Sequence, residues 1–198
     1  DAVQQMMFVQ FHQTMRQDVE VVFSQPRPER ALGSLRALPG VLYAEGQRSV
    51  AVRLRHGYRQ ERAALQGLPD ERRLQQVLDL DLKPLRLPDD GLLLNEHLAR
   101  KLGVTAGDTL SVEVLEGARA VREVRVAALS QQYMGMGVYL RQDALNRLLR
   151  EGPAISSALL AMDPGQADTL YRRLRDMPGV AAVNLRHTLI RSFNDTMQ

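Results

Sequence analysis

Apolar and polar positions change their period several times along the chain, and each change predicts an element. Residues 1–17 (DAVQQMMFVQFHQTMRQ) hold Met6, Met7, Phe8, Val9 and Phe11 close together, with no Gly or Pro among them. That pattern predicts a helix with a broad apolar face, which needs a partner to cover it. Residues 19–23 form a short apolar run, the mark of a buried strand. Pro26 and Pro28 then predict the opening of a helix, because the first helical turn tolerates proline. In that helix Ala31, Leu35 and Leu38 share a face, with Leu32 beside them. Pro39-Gly40 ends it, and residues 41–43 start a strand. Val50, Val52 and Leu54 next alternate with Ala51, Arg53 and Arg55, the period of two of a half-buried strand. The first unit therefore reads β-α-β-β.

A second unit lies toward the C-terminus. Residues 157–162 read as a strand, Asp163 as an N-cap, Pro164 as the first helical position and Gln166 as the return arm of a capping box. Ala167, Leu170, Leu174 and Met177 mark the apolar face of the helix. Pro178-Gly179 stops it, and residues 180–185 form the next strand. The helix ends of the two units correspond: LRALPGV at 35–41 and LRDMPGV at 174–180 are identical at five of seven positions. This predicts an internal duplication, and two β-α-β units on one sheet predict a ferredoxin-like α+β layer.

Between the units runs a long insert, from about Gly67 to Gly152. Leu74, Val77 and Leu78 suggest a short helix, and Pro84 and Pro88 flank an extended piece. Asn95 is a good N-cap for a helix that runs through Leu102 and closes at Gly103. Leu110, Val112 and Val114 alternate as a strand, Glu116-Gly117 turns the chain, and Val124, Val126 and Ala128 form the return strand. Residues 140–149 read as an amphipathic helix. The insert is expected to be a small, mainly β subdomain.

Composition narrows what such a chain does. It has 198 residues, 44% of them hydrophobic and 25% charged, which suffices for a real core. No run approaches the roughly 18 uncharged apolar residues of a membrane-spanning helix. A chain that opens on Asp1 is expected to be cut from something longer, or processed. The absence of Cys excludes disulfides, thiol catalysis and Cys-based zinc sites within it. With 26 basic and 23 acidic side chains the net charge is only +3. The basic residues are scattered among acids, without the aromatic-studded stripe of a nucleic-acid face, so nucleic acid is not expected as a partner.

The search for chemistry yields no catalytic residue, no cofactor site and no metal site. His12, His56, His97 and His187 are far apart and lack zinc-site spacing. Asp79 with Asp81, and Asp89 with Asp90, lack the spacing of a calcium loop and read as solvated turn residues. No phosphate loop, dinucleotide fingerprint or nucleophile elbow is present. The methionines are read as packing rather than copper ligands. One stretch stands out: in Tyr133-Met134-Gly135-Met136-Gly137-Val138-Tyr139, the side chains of Tyr133, Met134, Met136 and Tyr139 form a candidate exposed contact for a partner.

The segment LLLNEHLARKLGVTAGDTLSVEVLEG, followed by VREVRVAAL, resembles the extracytoplasmic core of FtsX/MacB-type ABC transporter permeases. The LPGV-like segments at 38–41 and 177–180 resemble that family's paired β-α-β units. RHTLIRSFNDTMQ is similar to the stretch before a following transmembrane helix, and MMFVQFHQTMRQDVEVVF to the exit from a preceding one. The resemblance covers nearly the whole chain. It implies an α+β fold in which residues 18–66 and 153–191 form a duplicated, ferredoxin-like "porter" subdomain. Residues 67–152 form an inserted, mainly β "sabre" subdomain, and residues 1–17 and 192–198 are membrane-proximal. It further implies a periplasmic, non-catalytic domain of an inner-membrane permease, with membrane contact through flanking transmembrane helices. Its partners would be a cytoplasmic ABC ATPase acting through the parent permease, a permease dimer partner and a periplasmic accessory protein. The implied role is mechanotransmission. The residues by themselves leave two other classes open: a small-ligand binding or sensor module, and a stand-alone soluble enzyme.

Overall fold

A computed structural model of the chain describes residues 18–69, 86–130 and 137–185. In these, strands β1 (Val19–Pro28), β2 (Val41–His56), β3 (Arg59–Leu68), β4 (Leu92–Asn95), β5 (Thr109–Val114), β6 (Val121–Ser130), β7 (Gly137–Arg141), β8 (Ala154–Met162) and β9 (Val180–Leu185) alternate with four helices. The helices are α1 (Ala31–Arg36), α2 (Glu96–Leu102), α3 (Gln142–Leu149) and α4 (Ala167–Arg175), the last preceded by a 3-10 turn at Pro164–Gln166. The result is a mixed α+β fold dominated by sheet.

The strands form two arrays that share β2. In the first, the order is β2-β8-β1-β9, antiparallel throughout, with β2 contributing Val41 to Gln47. Val19, Val21 and Phe23 of β1, Ala44 of β2 and Ile155, Ala158 and Leu160 of β8 point to one face. There they pack against Leu32 and Leu35 of α1 and Leu170 and Leu174 of α4. Both helices therefore lie on one side of the sheet, in the β-α-β-β-α-β order that the apolar periodicities predict.

In the second array β2 pairs with β3 and β5, β5 with β6, β6 with β4, β4 with β7, and β7 with β3. The ring closes on itself as a six-stranded barrel, which leaves these strands no open edge over their paired lengths. Its interior is filled by Val52, Leu54, Leu65, Leu110 and Val112, none exposed by as much as 1%, with Leu98 and Leu102 of α2 and Leu145 of α3 against it. Helix α2 follows its caps: Asn95 Oδ1 accepts the His97 amide at 2.8 Å, and Gly103 closes the helix in the left-handed region.

Four expectations are corrected. Pro26 and Pro28 do not open a helix; β1 runs through Pro28 and α1 starts at Ala31. Past Phe23 the strand has no partner in β9, and its register with β8 shifts between Val22 and Arg27, so this is a bulged edge, where proline is tolerated. The two strands read at 41–43 and 50–55 are one 16-residue strand. Residues 140 and 141 belong to β7, and α3 starts only at Gln142. Asp163 does cap, accepting the Gly165 amide at 3.0 Å, but the segment it caps is the 3-10 turn, and α4 starts at Ala167. The Asp163 amide donates to the Gly40 carbonyl at 2.7 Å.

The two Pro-Gly segments occupy equivalent loops. Leu35 and Leu174 are both buried. The Leu38 and Met177 amides donate to them at 3.2 Å in each copy, and the Val41 and Val180 amides donate to Leu38 and Met177 at 3.3 Å. Gly40 and Gly179 adopt φ of 88° and 84°, a region that side-chain-bearing residues enter only at a cost, so both loops require glycine. No helix among the described residues is long and apolar enough to cross a membrane.

Candidate functional site

The feature that ties the two arrays together is the stretch of β2 from Glu45 to Val50. Arg48 is in phase with Val50, Val52 and Leu54, so the strand's alternation carries its side chain inward, and it is only 6% exposed. A buried guanidinium requires a partner. Glu151, in the connection between α3 and β8, supplies it: Arg48 Nε donates to Glu151 Oε1 at 2.8 Å and Nη2 to Oε2 at 3.5 Å. Arg48 Nη1 donates to the Ser49 carbonyl at 2.9 Å, and Asn146 Nδ2 donates to Glu151 Oε1 at 3.2 Å. Nearby, the Ser49 amide donates to Ser156 Oγ at 2.8 Å, and Gln142 Nε2 donates to the Ala154 carbonyl at 3.2 Å. Barrel strand, barrel helix and the first strand of the return into the other sheet are thus held by one polar joint. A bidentate Arg–carboxylate pair fixes orientation as well as distance.

A second feature is where the described chain enters and leaves. Val19 and Leu185 are cross-strand partners in β1 and β9, as are Glu20 and Asn184. The first and last described strands are therefore neighbours, joined at the same end. Burial pushes the Glu20 carboxyl above its ordinary value, opposed by a hydrogen bond from the Asn184 side chain.

The residues singled out from sequence are placed as follows. Tyr139, expected on an exposed contact, is 5% exposed and packs with Leu68, Leu87 and Leu93 on the outer side of β7. The alternation of β7 turns Val138 and Leu140 into the barrel and Tyr139 away from it, under its own apolar cover. Tyr133, Met134 and Met136 lie outside the described residues, as do His12, His187, Asp79 and Asp81. His56 Nδ1 is 3.1 Å from the Leu102 carbonyl, and His97 is an exposed residue of α2. Asp89 pairs with Arg141 at 3.1 Å, and Asp90 accepts the Gly91 amide at 2.9 Å. Among the described residues no group of three His, Asp or Glu side chains is placed to hold a metal ion. The joint itself was not foreseen. The signal was present in one half, a charge in phase with an apolar alternation; its partner lies 103 residues away.

No family model matches the chain, and no curated protein matches it. Solved structures do. The chain is similar to the extracellular domain of the noncanonic ABC-type transporter YknZ from Gram-positive bacteria, with a TM-score of 0.53 at 14% identity, covering 84% of this chain and 98% of that one. It is also similar to the periplasmic region of MacB from Actinobacillus actinomycetemcomitans, with a TM-score of 0.55 at 12% identity, covering 93% of this chain and 96% of that one. These likenesses establish the fold: the chain has the mixed α+β architecture of extracytoplasmic domains of ABC-type transporters.

Proposed function

We propose that this chain is the non-catalytic extracytoplasmic domain of an ABC transporter permease subunit, coupling ATP hydrolysis in the cytoplasm to the handling of a substrate or partner outside the membrane. The observation that carries this reading is the extent of the structural match, which takes in almost all of two transporter outer domains and most of this chain. In this reading the β2-β8-β1-β9 sheet with α1 and α4, drawn from residues 18–66 and 153–191, acts as the porter-like subdomain, and the barrel, in which β3 and the end of β2 join residues 67–152, acts as the sabre-like one. Residues 1–17 and 192–198 lead to flanking transmembrane helices, and the domain stands in the periplasm. The ATPase that drives it, a dimeric permease partner and an accessory protein are reached through the parent permease.

The coupling mechanism follows from two physical features. Motion arriving through residues 1–17 and 192–198 reaches the sheet at β1 and β9, which are neighbouring strands. The sheet passes it to the barrel through β2, whose backbone is continuous across both arrays, and the Arg48–Glu151 joint resists rotation at the crossing. The domain then moves as a lever rather than a hinge.

Cysteine crosslinking in the whole permease tests this, and the chain offers no cysteine of its own to confuse the result. Glu20→Cys with Asn184→Cys joins a pair that the sheet already holds, so transport-linked ATP hydrolysis should persist. Crosslinks between residues 1–16 and 192–198 restrict the incoming motion and should uncouple hydrolysis from transport. Unchanged transport under complete crosslinking of the second kind would sink the lever.

A further inference from the structure

The barrel has an open cleft of about 600 Å³ where β6 begins, beside the last turn of α3. Its apolar lining includes Val124, Leu140 and Leu148. Leu140 belongs to the barrel core, and Val124 and Leu148 pack against that core. The floor of the cleft is therefore continuous with the apolar interior. Its border carries Arg122, Arg147 and Arg150. Arg122 is the cross-strand partner of Val112, a fully buried interior residue, so it sits on the interior-facing side of β6 at the mouth. Arg147 and Arg150, three residues apart at the end of α3, approach from the other side.

This grouping differs from the arginines elsewhere. On the neighbouring barrel strand a single acid, Glu113, pairs with Arg53, Arg55 and Arg119. At the cleft the acids are too few: Asp90 and Glu123 line it against four arginines, the fourth being Arg125. Arg147 pairs with Asp143 at 3.5 Å, whereas among the described residues the Arg122 and Arg150 side chains have no carboxylate partner. Arg150 also occupies the left-handed C-cap of α3, with φ of 54°, a position that ordinarily favours glycine. A guanidinium is kept there despite the strain. The volume lies within the range of small-molecule sites, which favour the mouths of β-barrels and combine an apolar lining with a few placed polar groups.

We propose that this mouth binds an amphipathic anion, its carboxylate or phosphate held by Arg122 and Arg150 and its apolar chain lying on Val124, Leu140 and Leu148. Arginine forks suit either head group. The site goes beyond the transporter-domain reading and does not depend on it; failure of one leaves the other standing.

The test is titration calorimetry of the 198-residue chain with decanoate, decyl phosphate, inorganic phosphate and the neutral amphiphile octyl glucoside, each below its micelle concentration. Decanoate or decyl phosphate should bind at one per chain, and the tighter of the two identifies the head group. Affinity should fall with added salt. Arg122→Gln with Arg150→Gln should weaken binding at least tenfold with unchanged circular dichroism. Arg172→Gln with Arg173→Gln, the same charge change on α4, should leave it within twofold. Equal binding of octyl glucoside, equal binding of inorganic phosphate, no binding of either decyl anion, or equal losses in the two double variants would each overturn the proposal.

Discussion

Replacing Glu151 by Ala is the sharpest test of the polar joint. The substitution strands the Arg48 guanidinium, whose side chain is 7% exposed, leaving it, among the described residues, the Ser49 carbonyl as its one acceptor. Removing one partner of a buried ion pair costs about 3–5 kcal/mol. Glu151 keeps 27% of its side-chain surface, so water reaches the vacated site and lowers the expected loss to about 2–3 kcal/mol. For a chain of this length that corresponds to a fall in Tm of about 4–12 °C. Arg48→Met should cost less, because the carboxylate it leaves behind is the better solvated partner and retains Asn146. Arg48→Met with Glu151→Leu should recover much of the loss, since an apolar pair avoids the desolvation of both charges. Urea unfolding followed by far-UV circular dichroism of the parent, Glu151→Leu, Arg48→Met and the double variant would give the four stabilities of the cycle, with Glu151→Ala measured beside them. A loss under about 0.5 kcal/mol for Glu151→Ala, or a coupling energy of zero, would refute the claim that this pair joins the two arrays.

The remaining expectations concern the glycines, Glu20 and the cleft. Gly40→Ala should destabilise more than Gly179→Ala, by about 2 against 1 kcal/mol, since both have positive φ but a Cβ at Gly40 would lie 2.8 Å from the Gln166 Cβ, while at Gly179 it meets only a movable Arg27 guanidinium at 3.2 Å; equal urea midpoints would contradict this. The raised pKa of Glu20 means that the native chain holds a proton the unfolded chain has released, so its contribution to stability falls as pH rises from 4.5 through the raised value. Glu20→Gln should remove that fall and gain stability relative to the parent above this window; a pH-independent difference between the two would refute the assignment. Salt-sensitive binding of decanoate or decyl phosphate should disappear with the Arg122 and Arg150 guanidiniums, as read by calorimetry.

How far the fold can be read from sequence depends on the range of the contacts. Helix α2 and the β5–β6 hairpin are local, carried by Asn95, Gly103 and the period-two alternation about the Glu116-Gly117 turn, and they stand where those residues place them. The paired Pro-Gly loops are legible for the same reason. Strand β3 is not: its inward positions are Glu61, Ala63, Leu65 and Gly67, with a single large apolar side chain among them. Closure of the barrel rests on the parallel pairings β3–β7 and β4–β6, which join residues tens of positions apart and leave no periodic trace. Pro26 and Pro28 misled because proline suits a helix start and a bulged strand edge equally well. Tyr139 misled because a Gly- and Met-rich neighbourhood says nothing of the face to which a single aromatic turns. Arg48 announced a buried charge without announcing Glu151.

The central claim is that this chain is the outer domain of a membrane-embedded permease. An antibody raised to the chain, applied to membranes of the native cells before and after an alkaline carbonate wash, tests it most directly. The account predicts a product much larger than the 22.2 kDa of this chain, retained in the washed membrane and cleaved by protease added to spheroplasts. A product of that mass released by the wash would contradict it.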